Sequence, residues 1–136
     1  MAEPTTRAIE AAQRAAAAAE LAGQGMALAT VVATDEQDGP DHDLKMRYLF
    51  EPAAGPGGAA LADRFVCLQV SVDPARPEVP SLTAAHPAAN WHEREARDLL
   101  GIVPLDHPDP RPLVVHDGWP AGHYPLRKAF DGRSRP

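Results

Sequence analysis

From His42 to Phe50 apolar and polar side chains alternate, with Leu44, Met46, Tyr48 and Phe50 on one parity and Asp43, Lys45 and Arg47 on the other. A period of two sets these groups on opposite faces of a strand, one packed on a core and one solvated. The same rhythm returns from Phe65 to Val72, where Val66, Leu68, Val70 and Val72 face one way and Cys67 and Gln69 the other, until Asp73-Pro74 closes the run. Between Met26 and Thr34 small and β-branched residues alternate, Leu28, Thr30 and Val32 against Ala29, Val31 and Ala33. The turn-forming Asp38-Gly39-Pro40-Asp41 then joins this strand to the next as a hairpin.

Helical signals flank the strands. Thr6 to Ala22 is built from Ala, Glu, Gln and Arg and stops at Gly23, which predicts a first helix. Ser81 can cap a short helical turn, and Pro87 suits the first position of a second helix that runs through Trp91 to Leu100 and ends at Gly101. The Pro- and Gly-rich stretch Glu51 to Asp63 reads as a surface connection. The expected fold is therefore α+β: an N-terminal helix, a small three-stranded, mostly antiparallel sheet and one or two helices, all within residues 1–103.

Residues 104–136 are patterned differently. Six prolines between Pro104 and Pro125 exclude both a continuous helix and a central strand, so this part is expected to be extended and irregular. It is not composed like a disordered tail, because Leu105, Leu113, Val114, Val115, Trp119, Tyr124 and Leu126 recur along it and need a surface. That surface is either the chain's own core or a partner. Stiff extended segments lose little entropy on binding, and Trp and Tyr are frequent interface anchors, which favours a partner for Trp119 and Tyr124.

In the second helix, Glu93 with Arg97 and Arg94 with Asp98 stand four apart in the order that supports helical ion pairs. Ala89, His92, Ala96 and Leu99 form one stripe, expected to meet the sheet, and Trp91, Glu95 and Asp98 form another. By spacing alone the charges read as a solvated helix face.

Composition narrows the function. The chain has 136 residues, a single domain's worth, with 13 Lys and Arg against 19 Asp and Glu, a net charge of −6. That balance lacks the basic footprint of a nucleic-acid binder. Its aromatic content of 5% points to a thin core. The start MAEPTTRAIE has no signal-peptide pattern and no apolar run approaches the roughly 20 residues of a membrane span, so a cytoplasmic site with only indirect membrane association is expected. Cys67, the only cysteine, excludes an internal disulfide and a thiolate cluster site, and in an apolar strand it reads as an inert buried thiol. No glycine-rich turn after a strand offers a dinucleotide or phosphate cradle. A small metal-binding enzyme using His92, His107, His116 and His123 is the alternative of a different class. Against it, His92-Glu93 begins like a zinc-protease helix but Ala96 stands where the second ligand is needed.

The ordered set Ser81-Leu82-Thr83, Ala89-Asn90-Trp91, Glu93-Arg94-Glu95, Asp98, Gly101-Ile102, His107-Pro108-Asp109, Arg111 and Pro125-Leu126-Arg127-Lys128 resembles the signature of the 30 kDa subunit family of respiratory-chain NADH dehydrogenase. Asp106, Pro112 and Ala129 depart from that pattern, while Gly118-Trp119-Pro120 and Tyr124 look more like the version found in membrane-bound nickel-iron hydrogenase and formate hydrogenlyase complexes. The resemblance implies an α+β scaffold subunit with no active site or cofactor of its own. It also implies a C-terminal segment that wraps along the large (49 kDa-like or nickel-iron) subunit, beside an iron-sulfur subunit, on the cytoplasmic face. On this reading the partner-binding residues are Trp91, Glu93, Arg94, Glu95, Asp98, His107, Asp109, Arg111, Trp119, Tyr124, Leu126, Arg127 and Lys128.

Overall fold

The structure is a computed structural model that describes residues 4–55 and 64–132; most of the expected Glu51–Asp63 connection lies outside the described residues. In chain order it contains β1 (Thr5–Ala8), a 3-10 turn (Ala11–Gln13), α1 (Arg14–Gly23), β2 (Met26–Glu36), β3 (Asp43–Pro52), β4 (Val66–Val72) and β5 (Glu78–Pro80). A 3-10 turn (Pro87–Ala89), α2 (Asn90–Leu100) and β6 (Val103–Leu105) follow. The fold is α+β as expected. Its main sheet has four strands rather than three, in the order β1-β4-β3-β2, and β5 and β6 form a second, two-stranded sheet.

The extra strand comes from the segment expected to begin the first helix. Thr5 and Thr6 are β-branched, and β4 has an edge to fill, so β1 runs parallel to it with Thr5 N–H on the Phe65 carbonyl and Ile9 N–H on that of Gln69, both at 2.9 Å. Helix formation is deferred to Glu10 and Gln13, which cap the turn reciprocally before α1 starts at Arg14. Part of the tail is also regular, because Val103–Leu105 pairs in parallel with Glu78–Pro80. Proline is tolerated in both because each is an edge strand.

The hairpin β2-β3 and its neighbour β4 follow the alternation read from the sequence. Leu44, Tyr48, Phe50, Leu68 and Val70 are wholly buried, and they join Ala18 and Leu21 of α1 with Ala89, Ala96 and Leu100 of the α2 region in a single core cluster. Two details of the alternation are corrected. A bulge between Leu28 and Thr30 changes the parity of β2, so Leu28 and Val31 are both buried while Val32 is 47% exposed. The polar face of β3 is also less solvated than expected. Lys45 is buried with its ammonium on Asp41 (2.7 Å), Asp43 (3.0 Å) and the Ser71 hydroxyl (2.8 Å). Arg47 bridges Glu36, Thr34 and Gln69.

Candidate functional site

Helix α2 organises the signature residues. Gly101 ends it with a left-handed φ of 73°, a conformation that disfavours any side chain, and the Tyr124 ring lies where a Cβ would project, 2.5 Å from that position. The face turned to the core is Ala89, Glu93, Ala96 and Leu100, one step round from the stripe expected, and His92 and Leu99 are only half-buried. A carboxylate can hold a core position when its oxygens are fully engaged. Glu93 is 1% exposed and accepts from the Ser81 hydroxyl (2.5 Å), the Leu82 N–H (2.7 Å) and the Thr83 hydroxyl (2.8 Å). It thereby fixes the Ser81-Leu82-Thr83 segment on the helix.

Arg94, Arg97 and Asp98 do not form the expected i,i+4 pairs but hold the tail, Arg94 and Asp98 from buried positions and Arg97 from a half-buried one, whereas Glu95 stays exposed. Arg94 donates to the carbonyls of Arg111 (2.9 Å) and Pro112 (3.0 Å), and Arg97 donates to that of Pro110. Asp98 is buried and one of its oxygens accepts the successive N–H groups of Leu113 (2.7 Å), Val114 (2.8 Å) and Val115 (3.4 Å). Three side chains of one helix thus grip residues 110–115 by the main chain alone. Asp109 pairs with Arg111 at 2.8 Å and 2.9 Å and with Arg94 at 3.1 Å, and the Arg111 hydrogen bonds hold its carboxyl well below the usual range. The His107 side chain is buried; Nδ1 accepts the Asp109 N–H at 3.0 Å, which leaves Nε2 to donate to the Asn90 carbonyl at 3.2 Å.

Further along, Leu126 N–H donates to the Leu99 carbonyl (2.9 Å) and Arg127 to that of Leu100, with the Arg127 guanidinium 5.7 Å from the Tyr124 ring centre. Lys128 closes the strap on the β2-β3 turn, its N–H on Asp35 (2.9 Å) and its ammonium on Asp38. Burial alone would raise Asp35, but the N–H groups of Lys128 and Gln37 outweigh it and its carboxyl is lowered. Trp119 is half-buried and closes a local loop, with Nε1 on the His123 carbonyl (2.8 Å) and the ring edge-on to His116.

Of the expected partner-binding residues, Glu93, Arg94, Asp98, His107, Asp109, Tyr124, Arg127 and Lys128 are therefore brought together within the chain, and Arg111 joins them through Asp109. Trp91 (69% exposed), Glu95 and Leu126 (57%) face outward. The tail's footing on Asp35, near the end of β2, and on Asp38, in the turn that follows, has no signal in the sequence. The four histidines go separate ways: His92 borders a groove beside β2, His107 and His116 make the contacts above, and His123 bonds the Ala121 carbonyl. Among the described residues no group of three or more His, Cys, Asp or Glu is arranged to hold a metal ion, and no helix is long and apolar enough to cross a membrane.

The α+β fold has a solved counterpart. It is similar to the trypsin-resistant fragment (1-134) of Nqo5, with a TM-score of 0.64 and 26% identity over 76% of this chain and 80% of that one. The chain belongs to the family described as respiratory-chain NADH dehydrogenase, 30 Kd subunit, which it matches over residues 5–136. Both branches of relatives are represented. Formate hydrogenlyase subunit 5 of Escherichia coli is 49% identical over 73 residues, which are 53% of this chain and 13% of that protein. The C subunit of the NADH-quinone oxidoreductase of Moorella thermoacetica is 41% identical over 88 residues, 65% of this chain and 55% of that protein. The chain thus spans between about an eighth and about half of the length of these relatives.

Proposed function

We propose that this chain is a non-catalytic scaffold subunit of a multisubunit, membrane-associated redox complex of the NADH-quinone oxidoreductase or nickel-iron hydrogenase group. It docks on the large subunit of that complex, next to an iron-sulfur subunit, on the cytoplasmic face, and leaves all redox cofactors to its partners. The body is residues 1–103, and residues 104–136 are the segment presented to the partner while α2 holds its main chain. The observation that carries this reading is the match to formate hydrogenlyase subunit 5, where 73 aligned residues occupy 13% of a much longer chain. A module found inside a large protein in one relative and comparable to a subunit in others fits a permanent neighbour of the remaining part. The strap agrees with it. Arg94, Arg97 and Asp98 are engaged by the tail's backbone, so Leu113 (40% exposed) and Val114 (51%) are left to face outward.

The test is co-expression with the large subunit of the same organism. The expected outcome is a one-to-one complex that co-elutes on size exclusion, and independent elution of the two folded proteins would overturn the docking role. Elemental analysis and an absorption spectrum of the purified chain should show no stoichiometric iron, nickel, zinc or flavin. A near-equimolar metal that survives a chelator wash would overturn the scaffold reading and restore the metal-enzyme alternative.

A further inference from the structure

A groove of about 310 Å³ runs between α2 and β2, and on the strand side its lining includes the consecutive residues Thr30, Val31, Val32 and Ala33. Successive side chains of a strand point to opposite faces, so such a run lines a single groove only where the groove follows the strand's backbone edge. β2 is the outermost strand of its sheet and pairs only with β3 among the described residues, which leaves that edge open. The open stretch has limits at both ends. The bulge after Leu28 breaks the register on one side, and on the other the strap reaches β2 at Asp35, whose carboxylate accepts the Lys128 N–H, so the window between them is residues 30–34.

The groove's other wall is helical. Leu99 lines it with Leu126 of the strap, and Glu95 stands at its rim with no hydrogen bond or ion pair among the described residues. Val32 and Leu126 are 47% and 57% exposed, and Trp91, one helical turn before Glu95, is 69% exposed. An unpaired row of backbone N–H and C=O groups beside an apolar trough is matched by another extended backbone, whereas a helix satisfies its own backbone groups and has none to offer. The lone carboxylate selects for positive charge.

We propose that the β2 edge receives an extended segment of the large subunit as an added strand across residues 30–34, with apolar side chains against Val32, Leu99 and Leu126 and a Lys or Arg opposite Glu95. This rests on the docking reading above and specifies where and by what chemistry the partner is held.

Amide hydrogen exchange on the full chain, alone and in complex with the large subunit, tests it. Outward amides in residues 30–34 should exchange rapidly in the free chain and slow by about ten-fold or more in the complex, as new ladder hydrogen bonds form. The variants Glu95→Lys and Val32→Asp alter exposed side chains, so they should melt like the parent protein while weakening the complex roughly ten-fold. A complex that forms with residues 30–34 unprotected, or that tolerates both variants, overturns the added strand and leaves docking intact. No complex at all overturns both. Protection that appears in the chain alone together with a doubled mass shows a second copy on the edge and also overturns the proposal.

Discussion

The carboxylate of Glu93 lies inside the protein with three donors on it, two hydroxyls and a main-chain N–H. Removing it leaves the Leu82 N–H buried without an acceptor, and Glu93→Ala should destabilise the fold by about 3 kcal/mol. Glu93→Gln keeps an acceptor and should lose less; urea midpoints for the two variants rank them. Gly101 offers a cleaner case. A methyl group there meets both the left-handed backbone and the Tyr124 ring, so Gly101→Ala should cost about 1–2 kcal/mol from the backbone plus a clash. In a Tyr124→Ala background only the backbone part remains, so a double-mutant cycle on thermal melts should show the two changes to be less than additive. Individual residues were the least legible scale in the sequence. By spacing alone the charge at Glu93 and Asp98 reads as solvation, because spacing records where a side chain points and not which donors a distant loop brings to it; only the family resemblance reads both as interface or buried ion-pair residues.

At the scale of elements, the strands carrying Leu44, Met46, Val66, Leu68 and Val70 were readable because alternation and burial coincide there. Leu68 is wholly buried in the central pairing, and Leu68→Ala should lower stability by roughly 2–5 kcal/mol in chemical denaturation. The start of α1 was not readable, since Thr5–Ala8 becomes a strand only when β4 lies beside it, a fact of tertiary pairing. The strap behaves as an element too. Asp98→Ala removes the acceptor of the N–H groups of residues 113–115, so those amides should exchange at least about ten-fold faster while amides of β3 and β4 hardly change. Equal acceleration everywhere would mean that the strap and the sheet unfold as one unit.

For the whole molecule the ionisable groups set a pH window. Glu36 is lowered by the Thr34 hydroxyl and Arg47; burial opposes the lowering at Asp43, but Ser71 and Lys45 outweigh it, as Lys128 and Gln37 do at Asp35. Groups with lowered values contribute stability above the ordinary carboxylate range near pH 4 and lose it as pH falls through their folded values. Thermal melts should therefore drop steeply as pH falls below about 4. Burial pushes Tyr48 up to about 12, so its contribution is complete below the ordinary value near 10 and disappears as pH rises from there to about 12. A second decline in melting temperature in that alkaline range is expected.

The grip on residues 110–115 has an evolutionary side. Arg94, Arg97 and Asp98 touch carbonyls and N–H groups there, which every residue possesses apart from the amide hydrogen that proline lacks. Substitutions at Leu113 and Val114 change what the outside world meets without changing how the segment is fastened. A fastening indifferent to side chains leaves the outward face of the segment free to vary in sequence while its main-chain path stays the same.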